Sequence, residues 1–179
     1  MGTSAKASAR ERRIKAALKK AHRPDQVRGA GRKTVISVCA GTACHASGRI
    51  AVREALEKEI EARGLGDRVA VVETGCHGFC EQGPIVVLRP EGIFYPHVKP
   101  TDMARIVETS VVGDEVLEQL LYHHPQTGAP LTHEADIPFY AGQQRVVLGL
   151  NGRIDPTSID DYLAHGGYAA LATVLLAVG

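Results

Sequence analysis

Cys39, Cys44, Cys76 and Cys80 are the only cysteines in the chain, set in two pairs with four and three residues between partners. Each pair follows a β-branched run, TVISV (34–38) or VAVVET (69–74), and sits among small residues: Gly41, Thr42, Ala43, Gly75 and Gly78. Thiolates are soft donors, so soft-metal binding or thiol redox is the chemistry on offer. Two strand-end loops that each carry two thiolates can converge on one site. Small residues there let backbone N–H groups approach whatever is held. Three candidates follow: two disulfides, a zinc ion, or an iron–sulfur cluster.

Spacing separates them in part. Structural zinc takes C-x2-4-C knuckles, which both pairs fit, although such knuckles favour tight hairpins over glycine-rich turns. Disulfide frameworks belong to short secreted chains, and no apolar stretch follows the basic N-terminal residues as a secretory signal would require. Cys-x-x-Cys, the thioredoxin-type redox motif, is absent. A [2Fe–2S] cluster needs four thiolates and gains from N–H donors aimed at its sulfurs. The cluster is the favoured reading of Cys39, Cys44, Cys76 and Cys80, with zinc as the alternative.

These loops need a scaffold, and the pattern around them supplies one. A strand over 34–38 leads into the first loop. A helix follows, with Ser47 as its expected N-cap, Val52, Ala55, Leu56 and Ile60 on one face, and Gly64 as its closing residue. A second strand (68–74) leads into the second loop. PIVVLR (84–89) and GIFYPHV (92–98), split by Pro90-Glu91, read as a β-hairpin. Thr101 is the expected cap of a helix with Met103, Ile106 and Val107 facing inward. The order β-α-β-β-β-α makes the first two strands parallel and adds an antiparallel hairpin. The fold class expected is α/β, a thioredoxin-like mixed sheet with its helices on one face.

Charge divides the chain. Residues 1–33 carry eleven Lys/Arg against Glu11 and Asp25, whereas the remainder carries ten basic and eighteen acidic residues. Residues 1–33 are read as a basic helical extension, with Ile14, Ala17 and Leu18 at helical spacing. The cysteine-bearing part is acidic, which argues against nucleic acid as its partner. The apolar run AALATVLLAV (169–178) is too short to span a bilayer. A soluble, cytoplasmic protein without a transmembrane segment is expected.

Composition changes after about residue 112. A short helix (114–122) and the turn-rich HHPQTGAP form an expected linker over 113–135. Beyond it, Asp155 reads as an N-cap with Pro156 at the first helical position, Gly166-Gly167 as a stop, and 168–178 as a last helix. Residues 136–179 hold too little apolar surface for a core of their own and are expected to open a larger domain, with 138–179 ordered only against the rest of that domain or another subunit.

CAGTACHASG (39–48) with TGCHGFCEQGPIVVLRPEGIFYPHVKPTD (74–102) resembles the thioredoxin-like [2Fe–2S] ferredoxins, in the version fused to flavin-bearing subunits of soluble NAD-linked hydrogenases and formate dehydrogenases. PFYAGQQRVVLGLNGRIDPTSIDDYLAHGGYAAL (138–171) is similar to the opening segment of the NADH- and FMN-binding subunit of respiratory complex I and its soluble relatives. The resemblance implies a ferredoxin domain over 34–112, followed at 136–179 by the incomplete start of a flavin domain. It also implies one-electron transfer within a multisubunit NAD(H)-linked oxidoreductase whose other iron–sulfur and flavin subunits are the partners. FMN and NAD are implied for the complete complex only, because GLNG (149–152) cannot serve as a phosphate-cradling loop. The competing reading is a thioredoxin-like docking or assembly module, metal-bound or metal-free.

His45 and His77 each follow a cysteine, which invites a two-histidine, two-cysteine cluster. With four thiols available they are expected instead to face solvent or to hydrogen-bond near the site. Glu81 is expected to be a solvated charge. Neither a Ser-His-Asp arrangement nor a carboxylate pair is present, so no catalytic residue is assigned.

Overall fold

The computed structural model describes residues 34–177, together with Ala9, Arg12, Arg13, Ile14 and Ala16, which are helical. The remainder of the expected basic extension, Ala17 and Leu18 included, lies outside the described residues, as does Val178.

Strand β1 (Thr34–Cys39) is followed by a short helix α1 (Thr42–Ala46), a long helix α2 (Arg49–Ala62) and strand β2 (Val69–Thr74). Strands β3 (Val86–Arg89) and β4 (Ile93–Tyr95) form the hairpin. Helix α3 (Met103–Ile106) continues as π-helical turns over Val107–Val112. The sheet order is β2-β1-β3-β4. β1 runs parallel to β2, from Thr34 opposite Val69 to Cys39 opposite Thr74, and antiparallel to β3. A parallel βαβ unit brings the C-terminal ends of both strands to the same edge of the sheet. That edge receives both cysteine loops.

Alternation along the strands decides what each face buries. Ile36, Val38, Val86, Leu88, Ile93 and Tyr95 form one core with Val52, Leu56 and Ile60 of α2 and Met103, Ile106 and Val107 of α3. Each such fully buried apolar side chain contributes about 1.5–3 kcal/mol. The Tyr95 hydroxyl bonds Ser110 Oγ at 2.7 Å and accepts from the Leu117 N–H at 2.9 Å, so its polar end is satisfied inside the core. α2 and α3 cover this face, as the sequence pattern implied, whereas the short helix Pro138–Ala141 packs on the other face, against the expectation of helices on one face only.

The opposite face carries Cys39, Val87 and Phe94, and the chain beyond residue 112 covers it. A two-stranded ribbon, β5 (Tyr122–His123) with β6 (Pro130–Leu131), and helix α4 (Pro138–Ala141) lay Tyr122, Leu131, Ile137, Phe139 and Tyr140 against a second cluster with Cys44, Phe79 and Ile85. After β6 the backbone runs along β4: the Phe94 N–H donates to Thr132 O and the Glu134 N–H to Gly92 O, both at 2.9 Å. The stretch expected to link two domains is therefore fastened to the sheet. The sheet's second face would otherwise expose Phe94 and Val87. Within 138–179, expected to be ordered only against a flavin domain or another subunit, Phe139, Tyr140, Arg145 and Gly152 pack instead on the four-stranded sheet and its cysteine loops.

Local boundaries differ in four places. Gly48, in the left-handed region at φ 92°, is the N-cap of α2, while Ser47 closes α1. The expected helix over 114–122 is only a 3-10 turn, Glu118–Leu120. A 3-10 turn, Pro100–Asp102, precedes α3, and its start is tied by the Lys99 N–H donating to Asp102 Oδ2 at 2.8 Å. Asp155 starts no helix: its carboxylate accepts from the N–H and hydroxyl of Thr157, and helix α5 (Ile159–Ala164) begins at Ser158, whose hydroxyl accepts from the Asp161 N–H. Short polar side chains satisfy whichever nearby N–H the turn presents, and that choice is not local. Helix α6 (Ala169–Ala177) leaves Leu171, Val174 and Leu175 exposed. Among the described residues no helix is long and apolar enough to cross a membrane.

Candidate metal centre

Cys39 ends β1 and Cys44 lies on α1, each 1% exposed. Cys76 follows β2 and is half-buried, and Cys80 opens a 3-10 turn, Cys80–Gln82, and is exposed. All four are free thiols. The site thus runs from the sheet's second face to the surface.

The sulfurs come as two pairs. Cys76 and Cys80 have their Sγ atoms 3.8 Å apart. The Cys39 thiol is pulled down to about 5, chiefly by its hydrogen bond with Cys44 and further by the backbone N–H groups of His77 and Gly41, against the effect of burial. Cys44 is pushed upward by the same pairing and by burial. Burial also raises Cys76, opposed by the Gly78 N–H, which donates to its Sγ at 3.3 Å. Two pairs of thiolates with N–H groups aimed at sulfur suit a two-iron cluster, in which each iron takes two thiolates.

Glycines shape the cradle. A Cβ on Gly41 would stand 3.0 Å from Cys76 Sγ and 3.6 Å from Cys39 Sγ. One on Gly83 would stand 2.8 Å from Cys44 Sγ. Gly83 precedes Pro84 through a cis peptide, one of the two arrangements the Gly-Pro sequence allows. Of the small residues noted in sequence, Gly41 lies against the sulfurs and Gly78 donates its N–H to one, while Gly75 faces Asn151; the donor set fits a [2Fe–2S] group.

His45 lies on α1 rather than in a loop and is exposed, as expected. His77 is not: it is wholly buried, with Nε2 bonded to Thr74 Oγ1 at 3.0 Å and Nδ1 to Glu134 Oε1 at 2.9 Å. Both ring nitrogens are engaged, which leaves neither for a metal. Glu134 is held in turn by Arg89 Nη2 at 2.7 Å. Burial alone would raise the Glu134 carboxyl, but the His77 bond and the Arg89 guanidinium bring it down to about 2. Glu81 is exposed, as expected.

Sequence reasoning missed Glu134, Phe139, Arg145 and Gly152. Phe139 stacks on Phe79 in the second cysteine loop, and Tyr140 meets the same ring edge-on with centroids 5.8 Å apart. Arg145 Nη2 donates to the His77 carbonyl at 2.6 Å. Gly152 lies against the His77 ring, where a Cβ would come within 3.0 Å of Cε1. The one available signal was Phe139-Tyr140, an aromatic pair in a chain only 4% aromatic.

Comparison with known proteins places this arrangement. Residues 27–110 match the thioredoxin-like [2Fe–2S] ferredoxin family. A 2Fe–2S ferredoxin of Clostridium pasteurianum is 39% identical over 77 residues, covering 43% of this chain and 76% of that protein. The crystal structure of the thioredoxin-like [2Fe–2S] ferredoxin of Aquifex aeolicus aligns with 52% of this chain and 99% of its own, at 29% identity and a TM-score of 0.47. That of an NAD+-reducing [NiFe]-hydrogenase aligns with 65% of this chain and 20% of its own, at 17% identity and a TM-score of 0.43. The chain belongs to the thioredoxin-like [2Fe–2S] ferredoxin family. Its cofactor is a [2Fe–2S] cluster, and the domain is one for electron transfer.

Proposed function

We propose that Cys39, Cys44, Cys76 and Cys80 hold the cluster and that the chain passes single electrons within an NAD(H)-linked multisubunit oxidoreductase of hydrogenase, formate dehydrogenase or NADH dehydrogenase type. The observation that carries the ligand assignment is the pairing of four free thiols at one sheet edge, with Gly78 N–H on Cys76 and glycines 41 and 83 giving way to sulfur. A bound [2Fe–2S] cluster takes up and returns one electron without breaking bonds in a substrate. The protein's part is to bury Cys39 and Cys44, leave Cys80 at the surface as the near side for exchange, and aim N–H groups at sulfur.

Placement within a larger complex rests on the likeness of residues 138–171 to the opening of NADH- and FMN-binding subunits. Exposed Val146, Val147 and Leu148, at 83%, 92% and 58%, support contact with a neighbouring subunit or domain. In this reading FMN and NAD bind elsewhere in the complex, residues 136–179 begin the flavin-subunit portion, and the location is cytoplasmic, where thiols stay reduced. Iron and acid-labile sulfide analysis of anaerobically purified protein tests the assignment. About two of each per chain is expected; stoichiometric zinc in a colourless protein would refute it.

A further inference from the structure

The His77 carbonyl and the Gly78 N–H belong to one peptide unit, and both ends of it are held. On one side Arg145 Nη2 donates to the carbonyl oxygen at 2.6 Å; on the other the N–H donates to Cys76 Sγ at 3.3 Å. Gly78 has φ 87°, which a side chain would resist, and a Cβ there would meet Arg145 Nη2 at 3.4 Å. The His77 ring fixes the same peptide from its other flank. Glu134 and Thr74 bond its two nitrogens, Gly152 lies on its face, and Arg89 ties Glu134 Oε2 to the Gly152 carbonyl at 2.7 and 3.1 Å. Arg145, Glu134 and Gly152 all lie beyond residue 110, where the match to the ferredoxin family ends.

We propose that Arg145 and Glu134 are positioning residues for the cluster: they hold the His77–Gly78 peptide with its N–H on Cys76 Sγ and thereby raise the cluster's reduction potential. This rests on the assignment of Cys76 as a ligand. Reduction adds negative charge to the sulfurs, so an N–H dipole aimed at them stabilises the reduced form more than the oxidised one. A guanidinium on the carbonyl end strengthens that dipole. Freed from the clamp, the peptide turns its N–H away from sulfur and the potential falls.

The test is redox titration of the full chain carrying Arg145→Met or Glu134→Ala, read beside the wild type by the visible spectrum and by electron paramagnetic resonance. The two changes remove charges of opposite sign. Charge alone would move the midpoint potential down for Arg145→Met and up for Glu134→Ala; loss of the clamp moves both down, with altered g-values of the reduced cluster. An upward or absent shift in Glu134→Ala overturns the proposal. Should that variant fail to retain its cluster, Gly152→Ala crowds the His77 ring without changing charge, and a downward shift is again expected where no shift would overturn it. Loss of the cluster in both would make the clamp a requirement for assembly and overturn its assignment as a tuning device. Wild-type protein lacking two irons and two sulfides would instead defeat the cluster assignment, a result separate from all of these.

Discussion

Phe139 stacks flat on Phe79, with ring centroids 4.2 Å apart and planes 8° from parallel. One ring belongs to the second cysteine loop and the other to the segment beyond residue 112, so the contact joins the metal centre to a part of the chain outside the ferredoxin family match. The stack shields the buried side of the site from water and ties the order of one part to the other.

Phe139→Ala should cost roughly 2 kcal/mol, since it removes a half-buried ring and its aromatic partner. The expected result is faster proteolysis between residues 123 and 150 and earlier thermal bleaching of the cluster, while the α2–sheet core stays protected from amide exchange. Unchanged protection of residues 122–155 would show that the ribbon and α4 are held by the β4 edge alone.

Gly83→Ala should block or severely weaken cluster assembly, because its Cβ would sit 2.8 Å from Cys44 Sγ with the Cys80 carbonyl at 3.3 Å. Gly41→Ala should do so more mildly, at 3.0 Å from Cys76 Sγ. Gly66→Ala, which meets nothing within 4 Å, is the control and should bind iron normally. Iron content after anaerobic reconstitution ranks the three.

How much of this was legible beforehand follows from range. The βαβ unit, the hairpin and the inward faces of α2 and α3 follow from residue periodicity, because burial of one face dictates it. The four thiols and their glycines were visible because they lie within a few residues of each other in two short segments. The π-helical end of α3 and the cap at Gly48 were not, since local N–H partners are set by packing. Least legible was the clamp. Glu134 lies 57 residues from His77 and Arg145 lies 68 from it, and no spacing rule joins residues so far apart.

The Glu134 carboxyl, near 2 against an ordinary 4.5, gives a pH signature. Its folded-state value is depressed, so the stabilisation is complete above about pH 4.5 and is lost as pH falls toward 2. Allowing for solvent screening, it amounts to on the order of 2 kcal/mol. In metal-free chain, the difference in thermal stability between wild type and Glu134→Gln should be full near neutrality and close progressively below about pH 4.5. The Cys39 titration is common to both proteins and cancels. A difference independent of pH would contradict the ion-paired carboxylate.

Tyr140→Phe should be neutral or stabilising by up to about 1 kcal/mol. The hydroxyl is buried without a hydrogen-bond partner, and burial holds its pKa well above the usual phenol value. Chemical denaturation of the two proteins measures it, and a marked loss of stability would reveal a partner for that hydroxyl.

The central claim is that four thiolates hold a cluster that carries one electron. Its most direct test is quantitative electron paramagnetic resonance of dithionite-reduced protein, in wild type and in each of Cys39→Ala, Cys44→Ala, Cys76→Ala and Cys80→Ala, with His45→Ala as control. The expected result is a spin-½ signal of about one spin per chain in wild type and His45→Ala, absent or strongly diminished in all four cysteine variants. A wild type silent after reduction, or a cysteine variant with the full signal while His45→Ala loses it, would contradict the assignment.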